Sequence, residues 1–126
     1  MTRLILDAGA FVAFERGDNT VRAHLAAARR LNVDVITSSP VVGQVWRDGR
    51  RQALLARLVS GVEIHAPDAA AARRAGELLA KTKSDDVVDA LVVVLARDGD
   101  TILTSDPKDI GVLVAAKRAR VSVTKV

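Results

Sequence analysis

Two short apolar runs, each closed by an acid, constrain this chain more than any other feature. Arg3 to Leu6 leads directly into Asp7, and Thr101 to Leu103 leads into Thr104, Ser105 and Asp106. Between them, runs of four or so apolar residues alternate with stretches of helical period. Short continuous apolar runs bounded by turn residues read as strands buried on both faces. Strands alternating with helices predict an α/β fold, a parallel sheet of four to five strands with helices on both faces and right-handed crossovers. In such open sheets, ligands sit outside the carboxyl ends of the strands, where the strand order reverses. Asp7 and Asp106 are placed for such a site.

The intervening elements follow from period and punctuation. Ala10 to Arg16 reads as a short helix, and Asp18-Asn19-Thr20 supplies an N-cap for a second. Val33 to Ile36 reads as a second strand. Ser38-Ser39-Pro40 opens a third helix, with Val41, Val42, Val45 and Trp46 as its apolar face. Gly49 interrupts, and Arg50 to Val59 continues as a fourth helix up to Gly61. Val62 to His65 is a third strand, and Pro67-Asp68 opens a fifth helix. Ser84 is read as the cap of a sixth helix, Asp85 to Arg97, whose apolar character predicts burial on most sides. Pro107 starts a last helix through Ala116, and Val121 to Val123 is read as a final edge strand.

The 126 residues fit one domain, spanning 1–126, with enough chain for one core. Two Phe and one Trp are the only aromatics, so that core is expected to be aliphatic. No cysteine is present, which removes disulfides, thiolate metal sites and thiol nucleophiles. The opening apolar run is too short for a signal peptide, and no stretch reaches membrane-spanning length, so a cytoplasmic protein with no membrane partner is expected. The net charge of +4 permits an anionic partner such as nucleic acid and equally serves solubility.

The acids carry the chemistry. Asp7 follows a strand, where it can hold a ligand or cap the next helix. Asp86 and Asp89 lie three apart and share a side of the sixth helix. The helix dipole accounts for Asp85 and Asp86, but Asp89 lies within an apolar run and needs a partner or a cation. Asp106 and Asp109 flank Pro107 and Lys108, where capping and first-turn placement are again available. Three segments far apart in sequence thus bring an acid to places the fold gathers. Oxygen ligands without Cys or a usable His pair suit Mg²⁺ or Mn²⁺ rather than zinc. His24 and His65 lack metal-ligand spacing and read as structural. A cation held this way, with open water positions, is the arrangement of phosphodiester chemistry. Arg47, Arg50, Arg51 and Arg57, which follow the third helix, could track a phosphate backbone or simply form a solvated face.

Leu4-Ile5-Leu6-Asp7, then Asp86-Val87-Val88-Asp89-Ala90, then Leu103-Thr104-Ser105-Asp106-Pro107-Lys108-Asp109 resembles PIN-domain ribonucleases, and more narrowly the VapC toxins of bacterial toxin–antitoxin pairs. The resemblance runs along nearly the whole chain. It implies a three-layer α/β/α sandwich, a Mg²⁺- or Mn²⁺-dependent endoribonuclease, a homodimer, and inhibition by a VapB-type antitoxin. On the matching positions, Asp7 corresponds to the family's first acid, Asp89 to its third and Asp106 to its fourth, with Asp86 and Asp109 as auxiliary acids. The family's second acid, usually Glu, is Gln44 here. An amide can offer oxygen to a cation, but it carries no charge and cannot act as a base. Glu15 and Asp48 are the nearby acids that could substitute. The alternative to an efficient nuclease is therefore a weakened PIN-like protein that binds RNA or its antitoxin. A phosphorelay receiver is disfavoured because no second acid accompanies Asp7, and a dinucleotide-binding domain because the first turn has no G-x-G-x-x-G.

Overall fold

A computed structural model describes residues 2–126. Five strands, β1 (Arg3–Leu6), β2 (Asp34–Ser38), β3 (Glu63–His65), β4 (Thr101–Thr104) and β5 (Ser122–Lys125), form one parallel sheet in the order β3-β2-β1-β4-β5. Seven helices accompany them: α1 (Ala8–Glu15), α2 (Asn19–Arg30), α3 (Ser39–Val45), α4 (Ala53–Ser60), α5 (Ala69–Thr82), α6 (Val87–Leu95) and α7 (Pro107–Lys117). The expected α/β architecture with a parallel sheet flanked by helices is what the chain adopts.

β1 lies at the centre and is buried throughout, with Leu4 opposite Val35 on one side and Thr101 on the other. The winding runs outward through β2 and β3, then returns across β1 to β4 and β5, so the order reverses between β1 and β4. The strands pack against α1, α2, α3, α6 and α7, with α5 lying on α6 and α7, and Ile5, Leu6, Ile36, Ile102 and Leu103 are inaccessible to solvent. Phe11 on α1 is the one fully buried aromatic. Its burial contributes about 1.5–3 kcal/mol.

At the amino end of β1 and β4 the core contains an ion pair. The Arg3 guanidinium donates to Asp100 through Nη2 (2.7 Å) and Nε (3.2 and 3.3 Å), and to the Leu95 carbonyl through Nη2 (3.0 Å). Asp100 also accepts from the backbone N–H groups of Arg3 (3.0 Å) and Arg97 (2.8 Å). Arg3, read from sequence as part of an apolar run, thus ties β1 to the end of α6 and the start of β4.

Several boundaries differ from the sequence reading. Ser84 does not cap α6. Lys83 takes a left-handed conformation (φ 56°) that ends α5, and Ser84 folds back on it, its N–H donating to Leu79 and its hydroxyl meeting that of Thr82. Asp86 is the cap, its Oδ1 accepting from the Asp89 N–H at 3.0 Å, so the helix starts at Val87. The third helix stops at Val45, which removes Trp46 from its apolar face. Residues 46–52 form a turn-rich connection instead of the start of α4. Its organiser is Gln52, which accepts from the N–H groups of Arg47 (2.7 Å) and Asp48 (2.9 Å) and donates to the Val45 carbonyl (2.9 Å). A side-chain amide that caps a loop has no hydrophobic periodicity to announce it.

Candidate acidic site

The reversal between β1 and β4 opens a crevice at the carboxyl ends of the two strands. The Asp7 N–H donates to the Leu103 carbonyl at 3.0 Å, continuing the β1–β4 ladder one step beyond the strands. Asp7 is almost fully buried, at 5% exposure. It caps α1, with Oδ1 accepting from the Ala8 N–H at 2.8 Å. Capping does not exhaust the residue, because Oδ2 accepts from the Thr104 hydroxyl at 2.8 Å. Thr104 is itself fully buried, and its Oγ1 accepts from the Asp106 N–H at 3.0 Å. One hydroxyl therefore fixes Asp7 and the turn that carries Asp106. From sequence Thr104 reads only as a cap or a phosphate contact. The orienting role depends on the pairing of two strands whose residues are 97 apart, which local sequence does not show.

The crevice is narrow because Gly9 allows it. A Cβ at that position would lie 2.2 Å from Ser105 Oγ and 2.7 Å from its backbone nitrogen. The first turn of α1 can approach the β4–α7 turn this closely only without a side chain.

The remaining acids surround this core. Asp89 projects from the first turn of α6 and is half-buried. Its pKa is pushed up to about 7, first by burial and then by the negative charges of Asp7, Asp86, Asp106 and Asp109. Asp7 is raised by burial, opposed by the hydrogen bonds from Thr104 and Ala8 and reinforced by Asp86 and Asp106. Asp109 is raised chiefly by its hydrogen bond and charge interaction with Asp106. Asp106 is exposed at the start of α7 and its side chain makes no capping bond, so helix capping does not account for it. The five acids thus act on one another as a single electrostatic cluster. Among the described residues, every ion pair lies elsewhere: Arg3–Asp100, Arg50 and Arg51 with Asp48, and His65–Glu63.

Gln44 and the arginines fall outside that cluster. Gln44 is exposed on α3, and no hydrogen bond joins it to the acids among the described residues. Arg47 and Arg50 are exposed in the 46–52 connection rather than on a helix. Asp48 is engaged locally, with its Oδ1 accepting from the Arg50 N–H at 3.0 Å and lying 3.5 Å from Arg50 Nε. His65 lies 3.6 Å from Glu63 on β3, consistent with a structural reading.

The donor set can be tested against a divalent cation. Among the described residues, no three acidic or histidine side chains converge closely enough to cage one. A hydrated Mg²⁺ does not need a cage, since it keeps several waters and takes one or two carboxylates together with substrate phosphates. A buried, oriented Asp7 and a half-buried Asp89 near its titration point, both crowded by like charge, fit that demand. A cation offsets the burial that chiefly raises both groups and the repulsion that adds to it.

A parallel α/β sheet with an uncompensated carboxylate cluster at its reversal point defines the class of this molecule. The chain belongs to the PIN domain family, whose model matches residues 4–110. Solved structures with the same fold include VapBC2 from Rickettsia felis bound to a DNA fragment from their promoter, with 16% identity, 100% of this chain and 99% of that chain covered, and a TM-score of 0.71. DNA-bound VapBC from Salmonella typhimurium matches with 14% identity, 99% and 98% coverage, and a TM-score of 0.73. At these identities the likeness establishes the fold. No curated protein matches the chain by sequence.

Proposed function

We propose that this chain is a Mg²⁺- or Mn²⁺-dependent endoribonuclease and the toxin half of a VapBC-type toxin–antitoxin pair. The observation that carries the reading is the cluster of Asp7, Asp86, Asp89, Asp106 and Asp109 at the reversal point, without a cation paired to it among the described residues. Membership in the PIN family and the shared fold with the two VapBC structures support the assignment.

Asp7, Asp89 and Asp106 would hold the metal, directly or through water, with Asp86 and Asp109 supporting from the rim. When bound, the metal supplies a water of lowered pKa and neutralises charge that builds on the phosphate. The rest belongs to the chain. Thr104 fixes the rotamer of Asp7 and donates to the oxygen Oδ2. Gly9 brings α1 against the turn that presents Asp106. Asp89, titrating near neutrality, is the group best placed to hold or release a proton in the free cluster. Arg47 and Arg50 would contact phosphates of the RNA, and Gln44 would contribute an amide where related enzymes carry Glu.

A cognate VapB-type antitoxin and a second copy of the chain are the proposed protein partners. A groove of about 530 Å³ away from the acidic cluster, lined by Phe14, Leu25 and Leu58 with Arg22, Arg57 and Glu63 among its charged residues, would suit a protein segment.

A specific observation favours a second reading. Gln44 brings no charge, and the described acids do not form a closed cage. A weakened PIN protein that binds RNA or its antitoxin would have these features. Cleavage of cellular RNA by purified protein with Mg²⁺ or Mn²⁺, beside Asp7→Asn and Gln44→Glu, separates the two. Metal-dependent cutting that disappears in Asp7→Asn supports the nuclease, and a gain in Gln44→Glu measures the missing acid. An RNA pool left intact by wild type, with no metal bound, leaves the second reading.

A further inference from the structure

We infer that Trp46 is a stacking platform for an unpaired RNA base, set among the phosphate-binding arginines of the 46–52 connection. The inference rests on the RNA-binding part of the proposed function and adds a residue that reads base identity or exposure. Trp46 is the only tryptophan, and at 37% exposure it is the most accessible of the three aromatics. Phe11 is sealed in the core, and Phe14 is half-buried beneath the Arg22 guanidinium, 5.8 Å from the ring centre.

The connection around Trp46 is built rather than loose. Gln52 holds its two ends together through three hydrogen bonds. Arg47 Nη1 donates to the carbonyls of Trp46 (2.7 Å) and Gly43 (3.1 Å), which fixes the backbone on which the indole stands. The six-membered ring of the indole lies against Gly49, where a Cβ would sit 2.6 Å from Cζ2 and 3.2 Å from Cη2. Glycine therefore lets the ring pack closely against the backbone, with 37% of the residue left to solvent. An ordered, partly exposed indole loses little entropy when a base stacks on it.

The surroundings select the occupant. Arg47, Arg50 and Arg51 stand against a single acid, Asp48, in this segment. The Arg50 and Arg51 side chains are 92% and 88% exposed, and their contacts to Asp48 are long, at 3.5 and 4.0 Å. A partly exposed indole in a segment of exposed arginines is the combination that binds single-stranded nucleic acid, with backbone held by charge and bases by stacking. A protein partner is the competing occupant for an exposed tryptophan, but three arginines against the single Asp48 leave the segment net positive, which favours a polyanion. α3, seven residues long, separates the platform from the carboxyl end of β2 by about 10 Å. An RNA strand leaving the crevice along this helix would meet the platform a few nucleotides from the acids.

Because the chain has one tryptophan, its fluorescence reports this position alone. The test titrates the wild-type protein with a 12-nucleotide single-stranded RNA of mixed sequence in EDTA, which keeps the strand intact. Binding of the same oligonucleotide, fluorescein-labelled, is followed by anisotropy for Trp46→Ala, Trp46→Phe and Arg50→Gln. The expected result is quenching of the indole at saturation. Trp46→Ala should bind roughly 5- to 150-fold more weakly, with Trp46→Phe restoring most of the affinity. Trp46→Ala should leave the salt dependence unchanged, whereas Arg50→Gln should lower its slope by about 0.7. RNA that binds, or is cut once Mg²⁺ is added, without quenching and with equal affinity for Trp46→Ala overturns the platform and leaves the nuclease standing. An emission that shifts with protein concentration and ignores RNA assigns Trp46 to self-association and overturns the platform as well. A strand neither bound nor cut removes both.

Discussion

Replacing Asp100 with alanine should destabilise this protein more than any single change at the acidic site. The Asp100 side chain is fully buried and that of Arg3 is 10% exposed. The carboxylate accepts from the Arg3 guanidinium, the Arg3 N–H and the Arg97 N–H. Its loss leaves a buried guanidinium with the Leu95 carbonyl as its one remaining partner. Breaking one side of a buried pair costs about 3–5 kcal/mol. For a chain of this length the unfolding entropy is about 0.26 kcal/mol/K, so the melting temperature should fall by roughly 11–19 °C. Differential scanning calorimetry at pH 7 measures this directly. The double variant Arg3→Met/Asp100→Leu should recover part of the loss, because it removes the unpaired charge but leaves the Arg3 and Arg97 N–H groups without their acceptor. The pH dependence supplies a second check. Burial works against ionisation of Asp100, but the hydrogen bonds from Arg3 and Arg97 outweigh it and hold the pKa below the ordinary 3.8. A depressed carboxyl contributes stability that is complete above 3.8 and lost as pH falls through the folded value. Wild type should therefore show a steeper acid limb than Asp100→Ala. A drop under 3 °C, or identical acid limbs, would refute the assignment of this pair as a determinant of stability.

The acidic site gives three further expectations. Thr104→Val removes the donor to Asp7 and the acceptor for the Asp106 N–H, so a loss of about 1–3 kcal/mol is expected in chemical denaturation, with a larger proportional loss of metal-dependent cleavage. Gly9→Ala forces the β4–α7 turn away from α1 and should depress cleavage and metal affinity together, as isothermal titration with Mn²⁺ would show; unchanged affinity would mean the close approach is incidental. Asp89 should oppose Asp100 in the metal-free protein. Its folded pKa lies above its unfolded one, so the folded state binds more protons between about 4 and 7 and stability from this group declines as pH rises through that window. Asp89→Asn should flatten that decline in thermal scans from pH 4 to 8, and stabilisation by Mg²⁺ should increase with pH over the same window.

The centre of the sheet was legible because β1 and β4 carry continuous apolar runs that end in turn residues. Leu4-Ile5-Leu6 and Ile102-Leu103 allow little besides buried parallel strands, and the caps at Asp18 and Asp68 were plain. The positions of Asp7 and Asp106 at strand ends followed from the same pattern. Their coupling through Thr104 did not, because a hydroxyl between two distant segments leaves no periodic trace. Asp86 illustrates a second difficulty. Ser84, Asp85 and Asp86 are all good caps, and the left-handed turn at Lys83, not intrinsic preference, decides among them. Arg3 was hidden for a third reason. A charge within an apolar run looks like an edge until its partner, almost a whole chain away, is paired with it. The 46–52 connection was read as helix because Leu54, Leu55 and Leu58 continue the helical period behind it, while the amide that organises it is silent in any hydrophobic pattern.

The central position of β1 also has a consequence in time. Its first neighbour, β2, is only about thirty residues away, but its other neighbour, β4, is joined to it from Leu4 to Thr101. At roughly 5–20 residues per second of synthesis, Asp7 exists for about 5–20 s before Thr104 is made. During that interval β1 has an open edge, the orienting hydroxyl is missing, and Asp86 and Asp89 at the start of α6 have no completed site to join. The crevice is therefore closed only when β4 joins β1, and a nascent chain stopped before β4 carries β1, β2 and β3 with Asp7, Asp86 and Asp89 but no complete site.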